Sequence, residues 1–164
     1  MCLTREIKIK KRPSIHQVFE MWAVVVLDTN AEDKLADPVY KSMYGWTQCR
    51  FEVGVEHKAY EGLPYVTNKN GKISKALRGG GFHVFATEEG AREFLSSKFN
   101  TRYDDGVDDY FRENGRIARV HVRGLIAQGR MSTQKYVNGY AKGEKTERTA
   151  YRFRYRTIVE VLPS

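Results

Sequence analysis

The hydrophobic positions of this chain fall mainly in short runs and in alternating patterns. Residues 21–28, MWAVVVLD, are rich in β-branched side chains and bounded by polar turn residues, which is typical of a buried strand. Residues 51–55 alternate between apolar and polar or glycine positions, the period of a half-exposed strand. Residues 116–129 and 151–162 predict two further strands, separated by a polar, glycine-bearing stretch.

One amphipathic helix is predicted directly after the apolar strand GFHVFA at 81–86. Thr87 can cap this helix, because its hydroxyl can accept a hydrogen bond from an unpaired backbone N–H of the first turn. Ala91, Phe94 and Leu95 follow at i, i+3 and i+4, so they share one face. The sequence therefore predicts a strand, a cap and a helix in immediate succession.

The order of these elements predicts the fold class. No alternation of strands and helices runs along the chain, so nothing requires a parallel sheet. We expect an α+β fold, with a mainly antiparallel twisted sheet or small open barrel of about five strands and one or two helices, the second near residue 108. Residues 1–164 are expected to form a single domain with a basic N-terminal arm at 1–14, and the longest loop is expected at 62–80.

Charge adds the strongest compositional signal. The 164 residues contain 28 Lys and Arg against 20 Asp and Glu, which gives a net charge of +8. Such an excess favours an anionic partner, either a nucleotide or nucleic acid or an acidic protein surface. The four histidines and two cysteines show no zinc-site spacing, so neither a metal nor a cofactor is expected. No apolar run is long enough to span a bilayer and no secretory signal is evident, so we expect no membrane association and a cytoplasmic location.

Two of the predicted strands each carry a basic row that alternates with an apolar row. If these strands pair as neighbours, the rows would form one positive surface, and arginine offers bidentate geometry suited to phosphate. The alternative is the ordinary exposed face of a half-buried antiparallel sheet. The predicted ligand-binding residues are Arg119, His121, Arg123, Arg152, Arg154 and Arg156 of the two rows, together with Arg78 and His83.

His83 has two interpretations. It lies in the strand after three glycines, Gly79 to Gly81, a pattern that could suggest a phosphate loop with a functional histidine. Phosphate loops, however, place their glycines between a strand and a helix, and here they precede the strand. Packing within the sheet is therefore the favoured role of His83, with ligand contact as the alternative.

Two resemblances to known proteins add expectations. Gly81 to Thr87 and the following helix are similar to a strand and helix of ADP-ribosyltransferase-like domains, which would imply a transferase that uses NAD, with His83 near the nicotinamide ribose. Over almost the whole chain, the Met-Cys-Leu opening, the central Gly-Phe-His strand and the closing strands resemble small uncharacterised bacteriophage and bacterial proteins. This second resemblance implies a phage or mobile-element accessory protein and no particular reaction. For a phage-encoded protein, the expected location is the cytoplasm of the host cell.

Together these observations favour a non-catalytic binder of an anionic ligand, either a nucleotide signal or a nucleic acid, with counter-defence as one role. The alternative is a protein–protein interaction module that inhibits a host complex. An ADP-ribosyltransferase-like enzyme is a further alternative. A fold-level resemblance cannot decide among them, because function depends on a particular site.

Overall fold

The computed structural model describes residues 3, 5–29, 38–42, 50–59, 81–98, 113–137 and 140–163. Every ladder between its strands is antiparallel, and this part of the chain confirms the predicted α+β class. The strands are β1 (Arg5–Ile7), β2 (Phe19–Leu27), β3 (Val39–Ser42), β4 (Arg50–Glu52), β5 (Glu56–Lys58), β6 (Phe82–Phe85), β7 (Gly115–Val137) and β8 (Tyr140–Val161), and helix α1 (Glu88–Lys98) lies between β6 and β7.

The strands β2, β7, β8 and β6 pair around a closed ring. β2 pairs with β7 from Phe19↔Val122 to Val26↔Gly115, and β7 pairs with β8 along most of its length. β8 pairs in turn with β6, which meets β2 at Trp22↔Phe85. The sheet thus forms a small barrel, with β1, β3, β4 and β5 added along its edges.

The hairpin of β7 and β8 is longer than the sequence pattern predicts. The strands have 23 and 22 residues and remain paired from Ala118↔Val161 to Val137↔Tyr140. The polar stretch that separates the two predicted strands is itself part of the ladder. Hydrogen bonds between the two backbones join β7 and β8 there, and such bonds do not require an alternating apolar face. The alternation predicted through residues 51–55 is wrong beyond Glu52, since the chain turns at Gly54, whose φ is 84°.

Apolar side chains pack on both sides of this sheet. Inside the ring lies one cluster, which includes Val25, Val84, Val120, Val122 and Ile158. A second cluster lies between the ring and α1, where Ala91 and Phe94 are almost fully buried against Phe85 and Ile117. The rings of Phe85 and Phe94 are 5.2 Å apart. The helix therefore covers one outer side of the barrel with the face that the sequence predicts.

Two predicted regions lie outside the described residues: the long loop at 62–80 and the second helix near residue 108. In the part of the chain that the structure does describe, no helix is long and apolar enough to cross a membrane.

The predicted helix cap is present, and it gives a first testable expectation. The backbone N–H of Gly90 donates to the Thr87 hydroxyl at 3.1 Å. Thr87→Ala removes this acceptor and should lower the free energy of unfolding by about 1 kcal/mol, measured by chemical denaturation. Thr87→Ser keeps the hydroxyl and should retain most of the stability; an equal loss in both variants would show that the cap is not the cause.

Candidate functional site under the connection between β1 and β2

The two basic rows do not form one surface, and that prediction is wrong. β7 and β8 are neighbours as supposed, but their register places Val122 opposite Arg156 and Arg123 opposite Tyr155. Residues directly opposite each other in an antiparallel ladder share a face. Arg123 and Arg156 therefore lie on opposite faces of the sheet.

The row on β7 lies on the outer face and is paired with carboxylates. Arg119 donates to Glu20 at 3.0 Å and to Glu160 at 3.2 Å, and His121 Nε2 lies 3.5 Å from Glu20. Arg123 forms a two-bond contact with Glu56, at 2.6 and 2.8 Å. These bonds raise the pKa of Arg119 and of Arg123 and hold their guanidinium groups in place. Their charge is thus largely neutralised within the protein.

The row on β8 is mostly buried. Arg152 is 5% exposed and donates to Glu6 at 2.7 Å. Arg156 is 4% exposed and packs over the rings of Phe51 and Phe82, 4.7 and 4.3 Å from their centroids. Burial lowers the pKa of Arg156 to about 10, and its Nη2 has no hydrogen-bond partner. Neither side chain faces open solvent as an anion site would require.

The remaining predicted residues are Arg154, Arg78 and His83. Arg154 is partly exposed, and its carbonyl accepts a hydrogen bond from the N–H of Ala59 at 2.8 Å. Arg78 lies outside the described residues. His83 pairs with Arg152 across the sheet, and its Nε2 is buried without a partner. Burial, helped by the charge of Arg152, lowers the pKa of His83 to about 3, so its ring is neutral at physiological pH.

A different site arises where one edge of β7 changes partners. β2 pairs with this edge as far as Val122, and β1 pairs with it from Gln128 onwards. Over the residues between them, the Arg12 guanidinium donates to the carbonyls of Leu125, at 2.8 Å, and Ile126, at 3.2 Å. Arg12 thereby satisfies backbone acceptors on a stretch of β7 that pairs with neither β1 nor β2, and it fixes the connection between these two strands against the barrel.

An open pocket of about 350 Å³ lies beneath this connection; we call it the mouth pocket. We call its apolar, largely aromatic lining residues the floor and its mainly basic and polar lining residues the rim. The floor consists of Phe19, Met21, Leu125, Tyr151 and Phe153, and the rim of Lys11, Arg12, Pro13, Gln17 and Gln128.

The floor of the mouth pocket is continuous with the core inside the ring. The ring of Phe153 lies 5.8 Å from that of Phe19 and 6.1 Å from that of Tyr151, so the three residues form one aromatic group. Phe153 is buried, whereas Phe19 and Tyr151 are partly exposed. An aromatic surface that remains partly exposed can stack against a planar ring of a ligand.

The rim supplies positive charge that no carboxylate among the described residues neutralises. Lys11 is exposed and takes part in none of the ion pairs among the described residues. The Arg12 guanidinium donates to two carbonyls and likewise has no carboxylate partner within the described part of the chain. The sequence shows these residues as part of a basic arm, but nothing in the sequence links the arm to an aromatic pocket.

Comparison of the chain with protein-family models, with curated proteins and with solved structures gives no match. Within the described ranges, no three His, Cys, Asp or Glu side chains are grouped so that they could hold a metal ion. The kind of ligand that the mouth pocket can bind is therefore inferred from its lining residues.

Arg156 gives a prediction about stability. Because its buried Nη2 has no partner, Arg156→Met removes an unsatisfied polar group while keeping much of the side-chain volume. The variant should unfold with a free energy equal to that of the parent or higher by about 1–3 kcal/mol. The matched variant Arg152→Met removes a cation that has Glu6 at 2.7 Å and should be less stable. A clear loss in Arg156→Met would contradict this account of the core.

His83 gives a prediction about pH dependence. Its pKa in the folded protein, about 3, is below the ordinary value of 6.5. As the pH falls from 7 to 5, the unfolded chain binds a proton at His83 but the folded protein does not, so stability falls, by about 2 kcal/mol at pH 5. His83→Leu removes this contribution, and denaturation at both pH values should show a smaller loss in the variant. An equal loss of stability in the parent and in His83→Leu would mean that a group other than His83 titrates.

Proposed function

We propose that this protein binds an anionic ligand of the nucleotide class in the mouth pocket, without catalysis. The observation that carries the proposal is that one pocket is lined both by partly exposed aromatic rings and by cations that have no carboxylate partner among the described residues. A nucleotide has the same two parts in covalent linkage, a planar base and a charged phosphate.

The aromatic floor suits a base. Stacking of a base on an aromatic side chain contributes about 1–3 kcal/mol and depends little on which base is present. A volume of about 350 Å³ is within the usual range for small-molecule sites. Tyr151 and Phe19 supply the partly exposed ring surface for this contact.

The rim suits a phosphate and the edge of a base. Lys11 forms no ion pair with any described carboxylate, so none of these pairs has to break before its ammonium group binds a phosphate. Gln17 and Gln128 each carry an amide, which can donate and accept hydrogen bonds at once. The arginines of β7 were predicted for this role from sequence, but their carboxylate partners make them weaker candidates.

A binder of this kind is consistent with the resemblance to phage accessory proteins. A protein that sequesters a nucleotide signal needs affinity and no reactive group, and counter-defence is one role in which sequestration alone suffices. The neutral, buried ring of His83 fits a packing role better than contact with a nicotinamide ribose, and so it favours binding over the transferase alternative.

Calorimetric titration with nucleoside mono-, di- and triphosphates and cyclic nucleotides tests the proposal. Tyr151→Leu should weaken binding by about 1–3 kcal/mol, because it removes ring surface from the floor. Lys11→Glu should weaken binding at low salt, and the difference should shrink as salt rises and screens the charge.

Two matched variants serve as controls. Lys58→Glu changes the net charge as much as Lys11→Glu, but Lys58 is an exposed residue of β5 that does not line the mouth pocket. Tyr155→Leu removes a tyrosine of β8 that contacts Arg123 instead of the pocket. Equal effects of Lys58→Glu and Lys11→Glu would indicate a general response to charge. Absence of binding by the parent at low salt would overturn the proposal and favour a protein partner.

A further inference from the structure

We propose that the ligand is single-stranded nucleic acid, with one base in the mouth pocket and the phosphates of neighbouring nucleotides along a cationic strip beside it. The strip is defined as Arg5, Lys8, Lys10, Lys11 and Arg130. This inference rests on the proposed function of the mouth pocket and extends it from one nucleotide to a chain.

Among the described residues, no member of the strip has a carboxylate partner. Many arginines of the barrel and helix are paired, as Arg119 is with Glu20 and Arg148 with Glu93. None of the ion pairs among the described residues involves a member of the strip. Glu6, which lies within the same segment, is occupied by Arg152.

The register of β1 makes the strip continuous with the mouth pocket. Arg5 lies opposite Arg130, and Ile7 lies opposite Gln128, which lines the pocket. From Ile7 the chain continues through the exposed Lys8, Lys10 and Lys11 to the point where Arg12 is fixed on the carbonyl of Leu125. The path from residue 5 to residue 12 can span at most about 25 Å, which is enough for several nucleotides.

Like charges also meet within the strip. Arg5 and Arg130 are directly opposed across the ladder, an arrangement that is destabilising unless a counter-charge is present. The Arg130 guanidinium donates a hydrogen bond to the Thr149 hydroxyl, at 3.0 Å, and this hydroxyl carries no charge. A phosphate beside this pair would relieve the repulsion, whereas a neutral partner would not.

The aromatic floor of the mouth pocket favours a single strand over a duplex as the ligand. A ring can stack on Phe19 or Tyr151 only if it is unstacked from its own neighbours, and bases in a duplex are already stacked and paired. A basic track combined with aromatic stacking positions is the arrangement by which proteins hold single strands with little sequence preference. A duplex would place its backbone on the strip but leave the floor empty.

The experiment measures binding of fluorescently labelled single strands of one to eight nucleotides, as oligo-uridylate and oligo-deoxythymidylate, and of a hairpin duplex. Affinity should rise with length for the single strands, and the plot of log K against log salt should steepen by about 0.7 for each phosphate bound. The two oligonucleotide series show whether the 2′-hydroxyl contributes. The hairpin should bind more weakly than a single strand of equal charge.

Lys8→Ala and Lys10→Ala test the strip directly. Both side chains are exposed, neither lines the mouth pocket, and neither has a partner within the described part of the chain, so folding should be unaffected. Each change should reduce the salt slope for a hexamer by about 0.7 and leave mononucleotide binding within twofold of the parent. Lys58→Ala, on β5, is the matched control and should change neither the salt slope for the hexamer nor the binding of mononucleotides.

The outcomes separate this inference from the proposed function. A hexamer that binds no more tightly than a mononucleotide would overturn the proposed role of the strip but would leave the mouth pocket as a nucleotide site. A duplex that binds as tightly as a single strand would overturn the proposal that the ligand is single-stranded. Absence of binding by mononucleotides and oligonucleotides alike would overturn the proposed function and the inference together.

Discussion

The register between β7 and β8 is the constraint on which the other features of this molecule depend. The two strands form a long antiparallel hairpin, and four of the other strands pair with its two outer edges: β2 and β1 with β7, and β6 and β5 with β8. A shift of one residue would exchange the buried and exposed faces of a strand. The core inside the ring and the second core under α1 both require the observed register.

The mouth pocket follows from the way in which this hairpin is covered. β2 and β1 share one edge of β7 but do not meet, so several residues of that edge have no strand beside them. Arg12 satisfies two of the exposed carbonyls and holds the connecting segment in place. The same segment forms the rim of the pocket, so the residue that completes the fold also positions the cationic arm above the aromatic floor.

The distribution of carboxylates decides which of the many cations remain available. The sequence has an excess of positive charge, and its most regular basic rows were the natural candidates for an anion site. In the folded protein Arg119 and Arg123 are paired with glutamates from distant segments, and Arg152 and Arg156 are buried. Several cations that have no carboxylate partner among the described residues lie instead on the N-terminal arm, where the sequence shows only a short run of lysines.

Local signals in the sequence determined β2, β6 and α1, including the Thr87 cap and the apolar face of the helix, because propensity, capping and periodicity act between residues close in the chain. The sequence also determined the fold class and the net charge. Only the tertiary structure decided that Val122 opposes Arg156, and that the arm lies over Tyr151 and Phe153. Alternation within a strand fixes which residues share a face, but the pairing of that face with another strand depends on packing across the whole barrel.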